Sequence, residues 1–193
     1  SEANRFLVRG LASYRGGKHE VLFNNWQAGL RTAESIRTGA PQAKLDFAGA
    51  SAAELETFYR SNHAQALRRG RELTATYDLS PHHTLLDVGG GSGGLAIAVT
   101  ETYPHMQATV AELPTVAPIT RRIVEEAGAS GRVQVQSIDV LNESPSGAFD
   151  AAVSSSFIQV ISAEKARHAL QNVGKVVNPG GAIYIRGDIV DDS

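Results

Sequence analysis

Apolar positions along the chain change their period near residue 80. Upstream, Leu22, Trp26, Leu30 and Ala33 recur at spacings of four, four and three, which predicts one amphipathic helix over residues 18–38, ended by Gly39, Ala40 and Pro41. A second helix is predicted from Ser51, where the S-x-x-E spacing to Glu54 is that of a capping box. It carries Leu55, Tyr59, Asn62, Ala66, Leu73 and Tyr77 along one side, so Asn62 and neighbouring His63 bring polar groups to an otherwise apolar face.

Downstream, short apolar runs alternate with helical periods. Strands are predicted at 84–88, 107–111, 132–137, 150–154 and 182–186, with helices at 95–103 and 116–127 between the first three. Before the last strand, Ala166, Ala169, Leu170, Val173, Val176 and Val177 form a helical stripe, which Asn178-Pro179-Gly180-Gly181 is expected to stop. Parallel strands joined by right-handed crossover helices make an α/β, doubly wound sheet that binds ligands outside the strands' carboxyl ends. The boundary is placed at Leu79 to His83, giving a helical segment over 1–79 and a sheet domain over 80–193.

Composition narrows the partners. The 193 residues, 42% hydrophobic and 20% charged, suffice for one substantial core. With 18 Lys+Arg against 20 Asp+Glu, the net charge of -2 offers no positive field for a nucleic acid or an anionic membrane. No apolar run approaches the roughly 18 residues of a membrane span, and no secretory leader pattern is visible. The absence of Cys excludes disulfides, thiolate metal sites and Cys nucleophiles, so a cytoplasmic protein without a metal centre is expected.

The most informative stretch is Leu85-Leu86-Asp87-Val88-Gly89-Gly90-Gly91-Ser92-Gly93-Gly94. Gly89, Gly91 and Gly94 satisfy G-x-G-x-x-G at a strand-to-helix junction, and Glu112 lies 23 residues past Gly89, where a carboxylate can hold ribose hydroxyls. Two readings stand: a nucleotide-type ligand site, or a tight turn that merely lets strand and helix approach. Charge separates the ligands. A pyrophosphate welcomes a cation, yet residues 84–100 contain no Lys or Arg and Asp87 adjoins the loop. S-adenosyl-L-methionine brings a sulfonium and an ammonium instead, which an adjacent Asp and bare backbone amides suit. Asp139, after the third strand, either accepts a hydrogen bond from the adenine amino group or caps the turn before Asn142.

The strings LLDVGGGSG at 85–93, AELP at 111–114, IDVL at 138–141 and NPGG at 178–181 resemble the methyltransferase portion of the plant and bacterial small-molecule O-methyltransferases, the caffeate and hydroxyindole type. Upstream, AESIRTGAPQ at 33–42 and FYRSN at 58–62 resemble that family's helical linker. The resemblance implies a Rossmann-like, mostly parallel sheet preceded by a helical segment, with S-adenosyl-L-methionine as cofactor. By position, Gly89 and Gly91 would cradle its methionine part, near Asp87. Glu112 would hold the ribose in place of the family's usual Asp, Asp139 and Val140 would contact adenine, and Leu113 would pack on the ring. Trp26, Phe58, Asn62 and His63 would border the acceptor pocket. The family is further expected to form a homodimer, through a segment preceding Asn4, and to add two strands beyond Asp188.

One segment departs from the family pattern. Where the family has a Lys and, four residues later, a His acting as general base, this chain has Ser155, counted with the cofactor-binding residues, and Gln159. A neutral amide cannot take a proton, and general-base catalysis is typically worth roughly 10² to 10⁴-fold. Three readings follow. The acceptor ionises on its own and catalysis rests on proximity; another base serves, with His63 nearest by topology; or the cofactor is bound for chemistry other than methylation. His82, His83, His105 and His168 read as surface residues. The expected function is therefore O-methylation of a small aromatic or polyketide-like hydroxyl compound. The alternatives are a hydroxylase- or decarboxylase-like use of the same cofactor, and a catalytically silent scaffold.

Overall fold

The structure, a computed structural model, describes residues 2–8, 19–40, 42 and 49–187. Pro41, the side chain of His19 and the stretch from Asp188 onward lie outside the described residues. The chain divides into two compact units, Ser1–Ala64 and Gln65–Ser193.

The first unit contains α1 (Glu2–Leu7), α2 (His19–Gly29), α3 (Thr32–Thr38) and the start of α4 (Ala52–Thr76). The single helix predicted over 18–38 is thus two. Gly29 is a weak helix former, and the Thr32 hydroxyl donates to the Gly29 carbonyl at 2.7 Å, drawing the backbone out of the helical ladder. Leu22, Trp26 and Leu30 are 62%, 68% and 66% exposed, so the stripe that set the prediction stays open to solvent. The capping box forms as predicted: Ser51 N–H donates to Glu54 Oε2 at 2.9 Å, and Glu54 N–H to Ser51 Oγ at 3.3 Å.

The second unit is a five-stranded parallel sheet in the order β3-β2-β1-β4-β5. Its strands are β1 (Thr84–Val88), β2 (Gln107–Glu112), β3 (Val133–Ser137), β4 (Phe149–Ser155) and β5 (Val177–Arg186). The helices are α5 (Gly94–Thr102), α6 (Ala117–Glu126) and α7 (Ala163–Gly174). Leu85 and Leu86, neighbours on β1, enter separate cores: Leu85 packs with Leu95, Val99 and Val124, and Leu86 with Ala169 and Val173. Helices therefore cover both faces, which is why the central strands read as continuous apolar runs. Among the described residues no helix is long and apolar enough to cross a membrane.

The sequence reading misplaces the end of α7. The helix stops at Gly174, and its buried stripe is Ala166, Ala169 and Val173; Val176 and Val177 lie beyond it. Asn178-Pro179-Gly180-Gly181 belongs to β5, where it forms a bulge: Phe149 faces Val177, but Ala151 faces Ala182. Pro179 has no N–H to give the ladder and Gly180 takes φ +82°, so the strand buckles outward and then resumes. Asp150 closes this pole of the sheet. Its carboxylate accepts the N–H groups of His83 (2.8 Å) and Thr84 (3.1 Å) and the Asn178 amide (2.9 Å). These bonds, with that from the His83 N–H foremost and that of Asn178 next, hold its pKa down at about 2.

Candidate functional site

The site grows from the turn where β1 runs into α5. Gly89, Gly91 and Gly93 take φ +63°, +58° and +71°, a left-handed backbone that other residues adopt only at a cost. Gly89 N–H donates to Ala111 O at 2.9 Å, pinning the loop to β2, and Thr120 of α6 donates its hydroxyl to Gly91 O at 2.5 Å.

Glu112 ends β2 directly beside this turn. Its Oε2 accepts Gly91 N–H at 2.8 Å and its Oε1 accepts Leu113 N–H at 2.9 Å, while the residue is 6% exposed. Asp87 lies below, 1% exposed, with Oδ2 buried and without a hydrogen-bond partner. A Cβ on Gly90 would stand 2.5 Å from that oxygen, so the loop backbone rests on the carboxylate. Burial, then the charge of Glu112, pushes Asp87 up to about 7, and burial also raises Glu112 against the two amides it accepts. Asp87, expected near the ligand, thus lies buried beneath the loop backbone.

The chain leaving β4 returns over the same loop. Ser156 takes φ +64° and donates its N–H to Arg186 O at 2.7 Å, which redirects the backbone. Phe157 then covers Gly89; a Cβ on that glycine would lie 2.9 Å from the phenyl ring. Gln159 follows in a 3-10 turn (Ile158–Val160), exposed, with its Oε1 against Gly187. It opens on a cleft of about 730 Å³ that Arg167 and Gln171 also line. The hydroxyl oxygens of Ser154 and Ser155 are buried without a hydrogen-bond partner.

The structure thus bonds Gly91, Glu112 and Leu113 together, packs Asp87 beneath the same loop and Gly89 beside it, and sets Ser155 and Gln159 either side of Phe157, which touches Gly89. Asp139 caps its own turn, its Oδ1 accepting Leu141 N–H at 3.0 Å and its Oδ2 the Asn142 amide at 2.7 Å. The neighbouring Val140 side chain is core, 5% exposed. Trp26, Phe58, Asn62 and His63 lie in the first unit. There Asn62 turns its amide onto Phe58 O at 2.9 Å, and Phe58 meets Tyr59 edge-on at 5.3 Å. The sequence reading missed Thr120 and Phe157. Thr120 was detectable, since it stands four residues after Val116 on the apolar stripe of α6, where a hydroxyl needs a reason.

As a donor set, the cluster fits a ligand that brings positive charge and hydroxyl donors. Two carboxylates are buried together, residues 84–100 supply no cation, and the crest above them, Gly89-Gly90-Gly91, carries no side chain of its own. The O-methyltransferase domain profile matches residues 38–193. The chain is 28% identical to a 3-hydroxy-5-methyl-1-naphthoate 3-O-methyltransferase of Streptomyces sahachiroi over 98% of its own length and 56% of the relative's. It is 29% identical to bovine (Bos taurus) acetylserotonin O-methyltransferase over 98% of its length and 57% of that protein. It spans, then, about half the length of these relatives. Human N-acetylserotonin methyltransferase, solved in complex with SAM, shares the fold with a TM-score of 0.84 at 20% identity, over 98% of this chain and 57% of that one. With four fifths of its residues inside the matched region, the chain belongs to the O-methyltransferase domain family.

Proposed function

We propose that this chain is the cofactor-binding part of an S-adenosyl-L-methionine-dependent O-methyltransferase acting on a small aromatic or polyketide-like hydroxyl compound. The observation that carries the reading is the Glu112 carboxylate, bonded to Gly91 at the mouth of a glycine turn and flanked by no cation. When bound, the cofactor supplies an electrophilic methyl group on its sulfonium. The protein's part is placement. The Gly89–Gly91 backbone receives the methionine end, and Glu112 accepts from the ribose hydroxyls. Leu113 and the Asp139-Val140 turn border the adenine, Asp139 keeping lone pairs free beyond those its cap uses. Ser155, at the position of the family's Lys, is counted with the cofactor-binding residues.

Gln159 orients the acceptor oxygen by hydrogen bonding and takes no proton, so the acceptor is one acidic enough to ionise, aligned with the sulfonium by proximity. Trp26, Phe58, Asn62 and, as the one alternative base, His63 belong to the acceptor side. A homodimer of the full-length protein follows from the family resemblance. The cysteine-free sequence fits the cytoplasm, and the net charge of -2 argues against nucleic-acid or membrane partners.

Calorimetric titration with S-adenosylhomocysteine and with NAD tests the cofactor. Micromolar binding of the first and none of the second is expected; comparable NAD affinity overturns the reading. Full-length protein that yields no methylated product from any acidic phenol would leave binding without transfer.

A further inference from the structure

Asp87 and Glu112 pose a problem that the binding roles above leave unsolved. Both are carboxylates from adjacent strands, 1% and 6% exposed. Glu112 is satisfied by two backbone amides, whereas Asp87 Oδ2 is buried without a hydrogen-bond partner. The elements packed around Asp87 offer no compensating cation. β2 contributes the Glu112 charge and β4 sets Val153 opposite it. α5 contributes the Ala96 amide, its one charged residue, Glu101, being exposed. The charged residues of α6 (Arg121, Arg122, Glu125 and Glu126) are exposed as well, and the side chain it turns toward the loop is Thr120. Two buried carboxylates without a cation cannot both ionise cheaply, and a proton on one of them removes the repulsion.

We propose that the Asp87–Glu112 pair retains one proton in the free protein and expels it to solvent when a cationic cofactor is seated, so that this pair sets the preference for sulfonium over its neutral thioether product. The inference rests on the cofactor reading above. Ribose hydroxyls donating to Glu112 favour its ionised form. A positive charge held over the loop then stabilises the second carboxylate through the thin layer of glycine backbone covering Asp87. S-adenosylhomocysteine brings the same ribose and amino acid without the sulfonium charge and leaves the proton in place. Asp87 acts here as a specificity-determining residue that never touches the ligand.

Linkage gives the size of the effect. With Asp87 pushed up to about 7, the ratio of S-adenosylmethionine to S-adenosylhomocysteine affinity rises by up to about tenfold from pH 6 to pH 8. The ligand's own amino group, common to both, drops out of that ratio. The experiment is calorimetry of both ligands in buffers of different ionisation enthalpy, on wild type and Asp87→Asn, with a carboxyl ¹³C NMR titration of the free wild-type protein. Expected are release of about half a proton at pH 7 with the sulfonium ligand, markedly less with the thioether, loss of the difference in Asp87→Asn, and one carboxyl titrating near neutrality. A pH-independent affinity ratio, or no carboxyl titrating above about pH 5, overturns the inference alone. The NMR result needs no variant to fold. Binding of neither ligand overturns the cofactor reading, and the inference with it.

Discussion

The carboxylate of Glu112 and the main chain of Gly91 are joined by a 2.8 Å hydrogen bond, so the end of the second strand and the crest of the glycine turn form one rigid unit. A side chain that both braces the loop and offers its remaining lone pairs to a ligand should be costly to remove on two counts.

Glu112→Ala should weaken S-adenosylhomocysteine binding by about 1–3 kcal/mol, the scale of losing charge-assisted hydrogen bonds. Glu112→Gln, which keeps an acceptor for one amide, should fall between. Titration calorimetry measures both, and an unchanged Kd in the alanine variant would show that the carboxylate only braces.

Gly89→Ala should lower the melting temperature as well as the affinity. The new Cβ would meet the Phe157 ring at 2.9 Å on a backbone with φ +63°, and either strain alone costs about 1–2 kcal/mol. Gly91→Val should abolish binding, since it stiffens the crest to which Glu112 is tied. Wild-type melting and binding in both variants would contradict the loop geometry.

Gln159→Ala should slow methylation on the order of tenfold, and Gln159→His should extend activity toward less acidic phenols by supplying a base at the matching position. In the native protein the rate should track ionisation of the acceptor, not a group near the unperturbed His value of about 6.5. A pH–rate series on acceptors of graded acidity decides. A native profile with an enzyme ionisation near neutrality that vanishes in His63→Ala would assign the base to His63.

Asp87 and Asp150 should bend stability in opposite senses. The Asp87 pKa is raised to about 7 in the fold, so its stabilising contribution is complete below its unfolded value of about 4 and is lost as pH rises through about 7. The ligand-free protein should therefore lose this contribution progressively between about pH 4 and pH 7 and level off above that, and Asp87→Asn should flatten the slope. The Asp150 pKa is depressed to about 2, so its contribution is present above about 4 and is lost as pH falls toward 2. Asp150→Asn should cost no more than about 1 kcal/mol at pH 7, because solvent screens the site, and should blunt acid unfolding in that window.

The sheet domain was legible because its signals are local and strong. Five short apolar runs, the glycine turn and the Glu112 spacing follow from strand pairing and loop geometry that any single sequence displays. Where the reading failed, one local side-chain bond and one long-range strand pairing decided. Thr32 reaching back to Gly29 splits a helix whose apolar period continues unbroken through the gap. The Asn178-Pro179-Gly180-Gly181 run has the composition of a helix stop, yet pairing of Phe149 with Val177 draws it into a strand as a bulge. The proximity of Asp87 to the loop was visible, but its burial was not: the alternation of a strand buried on both faces gives no sign of which polar side chain lies under a turn.

Asp150 and Gln159 sit at opposite ends of β4, and the contrast bears on how such a protein diversifies. The Asp150 clasp fastens β1, β4 and β5 together at the amino end, whereas Gln159 lies four residues past the last register pair of β4, Ser155 with Arg186. Exchanging an imidazole for an amide there breaks no strand pairing and leaves the sheet's fastening untouched. On the proposed role of Gln159, the reaction chemistry at one rim can be changed without loosening the clasp that fastens the strands at the other.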